Sequence, residues 1–462
     1  MPKRPNLLFL MTDHQRADSL GMVRHGVEVT PHLNRLASQA TAFSRAYNTC
    51  PLCVPARTAL ATGKYPTRNG IVTNDWRGRR AGDHLTLHEE LFQAGYDVAH
   101  IGVDHIRVRP GHRQRVDFAK WVSNGDHARF LESHGVPWPP PDAAAFKREI
   151  TENQGGERVC VRYSNTRVAT WPHPAAWFKD SFWAEQAVEF LGSGRDRPFA
   201  LFVYLWAPHP PLWLPEPYAS RFDPARLELP ANVGRAADGE PSNRRLGIAA
   251  QLADGLSMEQ WREVWAAHLG LVSLADAAIG RILEALDAAG HGEDTVVVFT
   301  VDHGDHLGQH AMYQKMEMYE PAIRVPLLIR APGCEARVHD VPVSHLDVLP
   351  TLLDLMGLDP QPALDGLSLA DCVRSDAPPP ERPVFCQYSG NPAIGDIRRA
   401  VVTRRHKYVH DPAAEPELYD LDADPLEMTN LAPDPAYDDL LADLHEQCCR
   451  WHEEHGDWVS YE

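Results

Sequence analysis

The apolar positions of this chain follow two rhythms. Predominantly apolar stretches at residues 6–11, 97–101, 199–206, 295–301 and 325–329 read as strands, the first of them covered on both faces, because a half-exposed strand would alternate. Between them, apolar residues recur at helical spacing over 85–94, closed by Gly95, and over 181–191, 258–289 and about 345–356. Residues 30–37 read as a short helix with Thr30 as N-cap and Pro31 at the first helical position. Strands alternating with helices predict an α/β fold, a central and largely parallel sheet flanked by helices. Two stretches, 105–175 and 208–255, are rich in Pro and weakly periodic and predict irregular excursions. A Pro-rich linker near 370–383 divides a catalytic α/β unit, residues 1–370, from a smaller C-terminal α+β unit, residues 371–462. Within the latter, 399–409 alternates like one antiparallel strand.

Composition narrows the function. The 462 residues carry a net charge of −18, which argues against nucleic acid or an anionic membrane as partner, since both need a basic face. No apolar run approaches the ~18 residues of a membrane span. The run 7–11 behind Lys3 and Arg4 is too short for a leader and reads as the first core strand. Eight cysteines without a regular framework fit reduced thiols in a cytoplasm, and a homo-oligomer is left open. An anionic substrate would depend on local cations, for which Arg77, Arg79 and Arg80, and Arg107, Arg109, Arg113 and Arg115, are candidates.

The chemistry collects at strand ends. The first strand runs into Thr12-Asp13 and the fourth into Asp302-His303-Gly304, and ligands in open α/β sheets bind beyond the carboxyl ends of strands. Two carboxylates and an imidazole suit a divalent cation, the oxygen share pointing to Ca²⁺, Mg²⁺ or Mn²⁺. Cys53-Val54-Pro55-Ala56-Arg57 opens an apolar helix with Pro55 in its first turn. Cys53 would stand just outside the helix N-terminus, where an anion is favoured, and Arg57 could reach back to it. Cys50 and Cys53 also form a Cys-x-x-Cys pair, which fits a redox thiol, although no compact thioredoxin-like context surrounds it. A metal-stabilised binding protein with an unmodified Cys53 is the non-enzymatic alternative.

Taken in order, these motifs resemble the sulfatase family of the alkaline-phosphatase-like superfamily. The resemblance rests on residues 6–13, on Cys53–Arg57, on Asp302-His303-Gly304-Asp305-His306 through Lys315 to Ile329, and on Glu417-Leu418-Tyr419-Asp420-Leu421. It implies an alkaline-phosphatase-like α/β fold. It also implies that a formylglycine-generating enzyme oxidises Cys53 to an aldehyde whose hydrate is the nucleophile. Asp13, Asp302, His303 and the modified Cys53 would hold one divalent metal, Ca²⁺ first, with Mn²⁺ or Mg²⁺ as alternatives. Asn74, His209 and Lys315 would bind the substrate oxygens, with His209 or Lys315 protonating the leaving oxygen. His105 would take the proton that lets the hemiacetal collapse, and Arg57 would orient the hydrate. His14 stands where many members carry a second aspartate, so whether it coordinates or only hydrogen-bonds is open. Cys-Val-Pro-Ala-Arg and Asn74 also resemble the bacterial phosphonate monoester hydrolase branch. Gly102-Val103-Asp104-His105 keeps a family histidine but lacks the lysine usual two residues before it. The substrate expected from the resemblance is a small-molecule sulfate monoester, the alternative a phosphonate monoester or phosphate diester.

Overall fold

The computed structural model describes residues 4–75, 81–82, 84–140, 142–359 and 361–461. The arginines Arg77, Arg79 and Arg80 lie outside them. Among the described residues, nine strands form the central sheet. Their order is Arg337–His339, Thr41–Tyr47, Arg324–Arg330, Thr295–Val301, Asn6–Asp13, Phe199–Pro208, Asp97–Gly102 and Lys120–Val122, with Val343–Ser344 also paired to Thr41–Tyr47. Arg324–Arg330 runs antiparallel to both its neighbours, so the sheet is mixed around a parallel centre. At that centre Leu7 stands opposite both Ala200 and Val296, and the three apolar strands end level with one another. A register shift between Met11 and Asp13 brings Asp13 opposite Pro208. Shared register, rather than sequence proximity, therefore puts Asp13, His209 and Asp302 on one rim.

Helices cover the sheet because their apolar stripes have nowhere else to go. Met258–Ala288, capped by Ser257 and Gln260, packs on Lys179–Gly192 and on the strand Phe199–Pro208. It also ends another helix. Thr30 does not cap Pro31–Ala37; its hydroxyl faces the Ser19 carbonyl at 3.2 Å and the Asn34 amide oxygen at 2.9 Å. Asp276 of the long helix accepts the orphan N–H groups of His32 at 3.1 Å and Leu33 at 2.8 Å instead. A carboxylate from a packed neighbour satisfies two donors where a local hydroxyl would satisfy one.

The first excursion is more regular than its composition predicts. It contributes the edge strand Lys120–Val122, the helix Asn124–Ser133 and a hairpin, Lys147–Gln154 with Glu157–Ser164, turned by Gly155 and Gly156 at positive φ. The hairpin is largely solvated, yet its second strand alternates, with Val159, Val161 and Tyr163 half-buried between exposed neighbours, and the Gly-Gly pair marks its turn. Residues 208–255 contribute a short strand, Leu212–Leu214, paired in parallel with Val168–Thr170, then turns and one small helix, Ile248–Ala253. Downstream, Val384–Tyr388, Arg398–Val402, His406–His410 and Glu417–Asp420 make a separate antiparallel sheet on which Asp438–His455 packs. The single strand expected over 399–409 is thus two. Thr403 folds the chain back, its N–H bonded to the His406 carbonyl at 2.9 Å. Among the described residues no helix is long and apolar enough to cross a membrane.

Buried imidazoles outside the rim carry a pH prediction. His88 Nε2 lies 3.3 Å from His100 Nδ1, and the rings of His88 and His112 are 4.7 Å apart. Burial, then neighbouring charge, lowers His100, His112 and His268 to about 3 from the ordinary 6.5. Their unfolded forms take up protons below about pH 6.5 while the folded ones do not, so stability present above that pH is lost as pH falls. Each contributes up to about 1.4 kcal/mol per pH unit. Denaturant unfolding should therefore show a fall of several kcal/mol, on the order of 4 per pH unit for the three together, between pH 6.5 and 5. Equal stability at pH 7.5 and 5.5 would contradict it.

Candidate active site

The helix Cys53–Thr62 begins one residue earlier than expected, so Cys53 is its first residue and the extended Leu52 stands outside. The N-terminal location survives this correction. Pro55 sits in the first turn without an N–H to orphan, and Gly63 closes the helix in the left-handed region at φ 64°. Asn74 accepts from the Val54 N–H at 3.0 Å, which fixes its amide oxygen toward the helix and leaves its amide nitrogen as the donor end.

Around the Cys53 thiol the rim residues converge. Lys315 Nζ lies 2.8 Å from Cys53 Sγ, 2.7 Å from His14 Nε2 and 3.0 Å from His303 Nε2. Cys53 Sγ is 3.3 Å from His303 Nε2 and 3.9 Å from Asp13 Oδ1. Arg57 spans the two carboxylates, with Nη2 on Asp13 Oδ2 and Nε on Asp302 Oδ2, both at 2.8 Å. The Tyr204 ring lies 5.6 Å from the Arg57 guanidinium carbon. All of these groups are buried.

Two consecutive pairs, Asp13-His14 and Asp302-His303, send both side chains to one place, which a continued strand could not do. His14 achieves this at φ 67°, a left-handed conformation that His visits more readily than branched residues. At the other pair Gly304 is required for close approach rather than for its φ: a Cβ there would stand 2.0 Å from the Pro321 carbonyl oxygen.

Hydrogen bonds set the imidazoles. His303 Nδ1 donates to the Gly304 carbonyl at 3.0 Å, which leaves the Nε2 lone pair facing the site. His14 Nδ1 meets Asp305 Oδ2 at 2.7 Å, leaving its Nε2 in the same role. Asp305, quoted in the motif but given no role from sequence, is the residue that aims His14. Its own carboxylate also accepts from the Leu307 and Gln314 N–H groups at 3.0 and 2.9 Å. Asp180 was missed too. It accepts from the Trp206 and Ala207 N–H groups at 2.7 and 3.0 Å and so holds the turn that presents His209. No pattern in the sequence marks it.

His209 stands at the margin, its ring 4.4 Å from His14 and 4.1 Å from Trp206. His105 lies near enough for Arg57, Asp302 and Lys315 to act on it, and burial above all holds it well below its ordinary range. Arg107 donates its backbone N–H to Thr58 at 3.1 Å, beside the nucleophile helix. Arg113 and Arg115 are spent elsewhere, on the Trp121 ring and on Glu89. Val103, at the place of the missing lysine, is part of the apolar core.

The electrostatics suit a cation. Burial, then the Asp302 charge, pushes Asp13 up to about 7. Burial would raise Asp302 as well, but Arg57, His303 and Lys315 hold it at about 2. Ligand atoms of Asp13, Cys53, Asp302 and His303 lie within 4.8 Å of one another, as do those of Asp13, His14, Cys53 and His209. Lone pairs from two imidazoles and the thiol converge on the Lys315 ammonium, which marks a place built for positive charge. These residues therefore fit a divalent ion. Burial raises the Cys53 thiol to about 12 and the Cys50 thiol further, so neither is a thiolate at neutral pH, against the redox reading.

Comparison with known proteins agrees with this geometry. A family model described as Sulfatase matches residues 5–358, and one described as N-sulphoglucosamine sulphohydrolase, C-terminal, matches residues 308–454. The multifunctional alkaline phosphatase superfamily protein PehA of Trinickia caryophylli is 29% identical, covering 98% of this chain and 96% of its own length. The choline-sulfatase of Rhizobium meliloti is 28% identical over 94% of this chain and 83% of its own. Among solved structures, the phosphonate monoester hydrolase of Silicibacter pomeroyi has a TM-score of 0.79 at 26% identity, over 98% of this chain and 96% of that one.

Proposed function

The chain belongs to the sulfatase family and is a hydrolase of sulfuric esters, and from that premise we propose that it cleaves small-molecule sulfate monoesters with residue 53, as formylglycine, for its nucleophile. Its fold is the alkaline-phosphatase-like one, with a smaller C-terminal domain built on an antiparallel sheet. The observation that carries the proposal is the convergence of Cys53 Sγ, His14 Nε2 and His303 Nε2 on the Lys315 ammonium at a helix N-terminus. A divalent cation held by Asp13, Asp302, His303 and residue 53, with Ca²⁺ favoured by the oxygen donors and Mn²⁺ or Mg²⁺ as alternatives, would supply charge neutralisation at the ester oxygens. Asp305 aims the His14 Nε2 inward, which supports His14 as a further ligand of the cation.

The chain's own residues do the remaining work. As the geminal diol, residue 53 attacks sulfur through one hydroxyl, and Arg57, locked between Asp13 and Asp302, fixes the direction of that attack. Burial opposes the charge on Lys315, but Cys53, Asp13 and Asp302 raise its pKa, so it is an ammonium at neutral pH. It donates to the sulfuryl oxygens together with the Asn74 amide and His209, and Lys315 or His209 delivers the proton to the leaving oxygen. His105, held neutral by burial, accepts the proton of the second hydroxyl, after which the C–O bond to sulfate breaks and the aldehyde returns.

We place these groups in a catalytic unit of residues 1–370, with 371–462 as the smaller α+β unit. Lys407 of the latter bonds Glu320 at 2.9 Å and Glu427 at 2.6 Å, which supports a C-terminal part that braces the 302–329 segment. Eight free thiols and a charge of −18 support a cytoplasmic enzyme acting on small molecules, not nucleic acid or membrane. A formylglycine-generating enzyme is the required maturation partner.

The second reading, a phosphonate monoester or phosphate diester hydrolase, is favoured by the similarity to the Silicibacter enzyme. One set of kinetics separates them. Aryl sulfate should give the highest kcat/KM, phenylphosphonate esters and diesters measurable turnover, and phosphate monoesters the lowest. A dianion needs more cationic compensation than a buried site with an apolar Val103 supplies. A preference for phosphonate esters would establish the second reading, and a preference for phosphate monoesters would refute both.

A further inference from the structure

Beside the reaction centre lies a cavity with aromatic walls. Trp138, Trp171, Phe178, Trp206 and Trp213 line it together with Lys179. It shares Trp206 with the site, since that ring rests 4.1 Å from His209, which in turn lies 4.4 Å from His14. Trp171, Phe178 and Trp213 are buried, whereas Trp138 is 37% exposed and forms a rim open to solvent. Flat, wide walls of this kind take up a planar ring.

Besides His127, whose Nε2 bonds the Trp177 carbonyl at 2.9 Å, two polar groups break the apolar lining. The Lys179 ammonium stands 4.2 Å from the Trp206 ring centroid and 5.2 Å from that of Trp138, and it makes no ion pair among the described residues. One oxygen of the Asp180 carboxylate beside it accepts from the backbone at Trp206 and Ala207. The other is buried without a hydrogen-bond partner among the described residues, so its charge acts on Lys179 without forming an ion pair. The second group is the buried Trp171 indole N–H, which has no hydrogen-bond partner. Both are donors, and among the described residues neither has a hydrogen-bond acceptor. Burial also pulls the Lys179 ammonium down to about 8, and the Asp180 and Asp13 charges offset this only in part.

Aromatic cages often hold cationic ligands. Here the faces of Trp206 and Trp138 already carry a cation of the protein's own, so a quaternary ammonium would be repelled. We propose that this cavity is the leaving-group subsite, and that it selects aryl sulfates bearing a second anionic group, such as a ring carboxylate, which Lys179 and the Trp171 N–H receive. This rests on the sulfatase reading for its reaction but not for its binding.

The test therefore has two arms. In the first, kcat/KM is measured for 4-carboxyphenyl sulfate, a neutral phenyl sulfate of matched leaving-group acidity, and 4-(trimethylammonio)phenyl sulfate. The carboxylate should lead the neutral ester by about tenfold or more, roughly 1.4 kcal/mol, with the cationic ester last. In Lys179→Met the ratio of carboxylate to neutral ester should fall to near one, and in Trp171→Phe it should fall partway. The second arm measures equilibrium binding of 4-hydroxybenzoate and phenol to Cys53→Ala protein by quenching of tryptophan fluorescence. 4-Hydroxybenzoate should bind about tenfold tighter, and Lys179→Met should erase the difference. If that binding preference appears while no sulfate ester is turned over, the subsite stands and the sulfatase reading falls. Equal binding of the two phenols, a preference for the cationic ester, or a carboxylate preference that survives Lys179→Met would overturn the proposal. Lys179→Gln serves if the methionine variant fails to fold, and the wild-type comparison decides by itself if both do.

Discussion

Turnover of an aryl sulfate by the Asp302→Asn protein is expected to fall by at least about 10³-fold, the scale of losing one preorganised charge at a transition state. The amide keeps the shape of the carboxylate and can still accept from the His303 N–H, which Asp302 Oδ1 does at 2.9 Å. What it removes is the negative charge shared between Arg57 and the proposed cation. Metal content measured on the purified protein should fall with activity while the fold persists. Asp302→Ala should be harsher. It leaves the buried Arg57 guanidinium with Asp13 as its remaining carboxylate, and breaking a buried pair in this way costs about 3–5 kcal/mol. An Asp302→Asn protein with wild-type metal content and rate would show that these residues form no metal site.

Cys53→Ala should lower kcat by about 10⁶-fold, the scale set by deletion of a catalytic nucleophile. Cys53→Ser discriminates more finely. Its single hydroxyl can take the sulfuryl group and release the alcohol, but it lacks the second hydroxyl whose deprotonation by His105 would expel sulfate. Rapid mixing should therefore show one burst of leaving group and then a stall. Mass spectrometry of the wild-type peptide spanning residues 50–57, from a native host, should show the CH₂SH of Cys53 replaced by CHO. Steady turnover by Cys53→Ala, or an unmodified thiol in active protein, would refute the mechanism.

The nucleophile helix, the parallel centre of the sheet and the rim aspartates were all legible in the chain, because each rests on a local signal. Apolar runs identify buried strands, Pro55 and Gly63 bracket a helix, and Asp13 and Asp302 sit where such runs stop. Thr30 misled because the capping rule is local, whereas the donors at that helix end are taken by Asp276, more than two hundred residues away. The hairpin 147–164 carries a local signal of its own, Val159, Val161 and Tyr163 alternating just beyond Gly155-Gly156, which the Pro-rich composition of the surrounding stretch outweighs.

By itself the sequence determined which groups this protein brings to a reaction: a motif cysteine, two strand-end carboxylates, imidazoles and a lysine, since residue type and strand ends are properties of the chain. Only the tertiary structure decided how they act. Register between three parallel strands brought Asp13, His209 and Asp302 to one rim, a left-handed His14 and the Asp305 carboxylate turned an imidazole inward, and Asp180 set the turn before His209. The aromatic cavity belongs to the same class, because Trp138, Trp171, Lys179, Trp206 and Trp213 come from separate segments with no shared pattern. Local rules see period and caps. Distances between residues far apart in the chain are fixed by packing, and the chemistry of a buried charge depends on those distances.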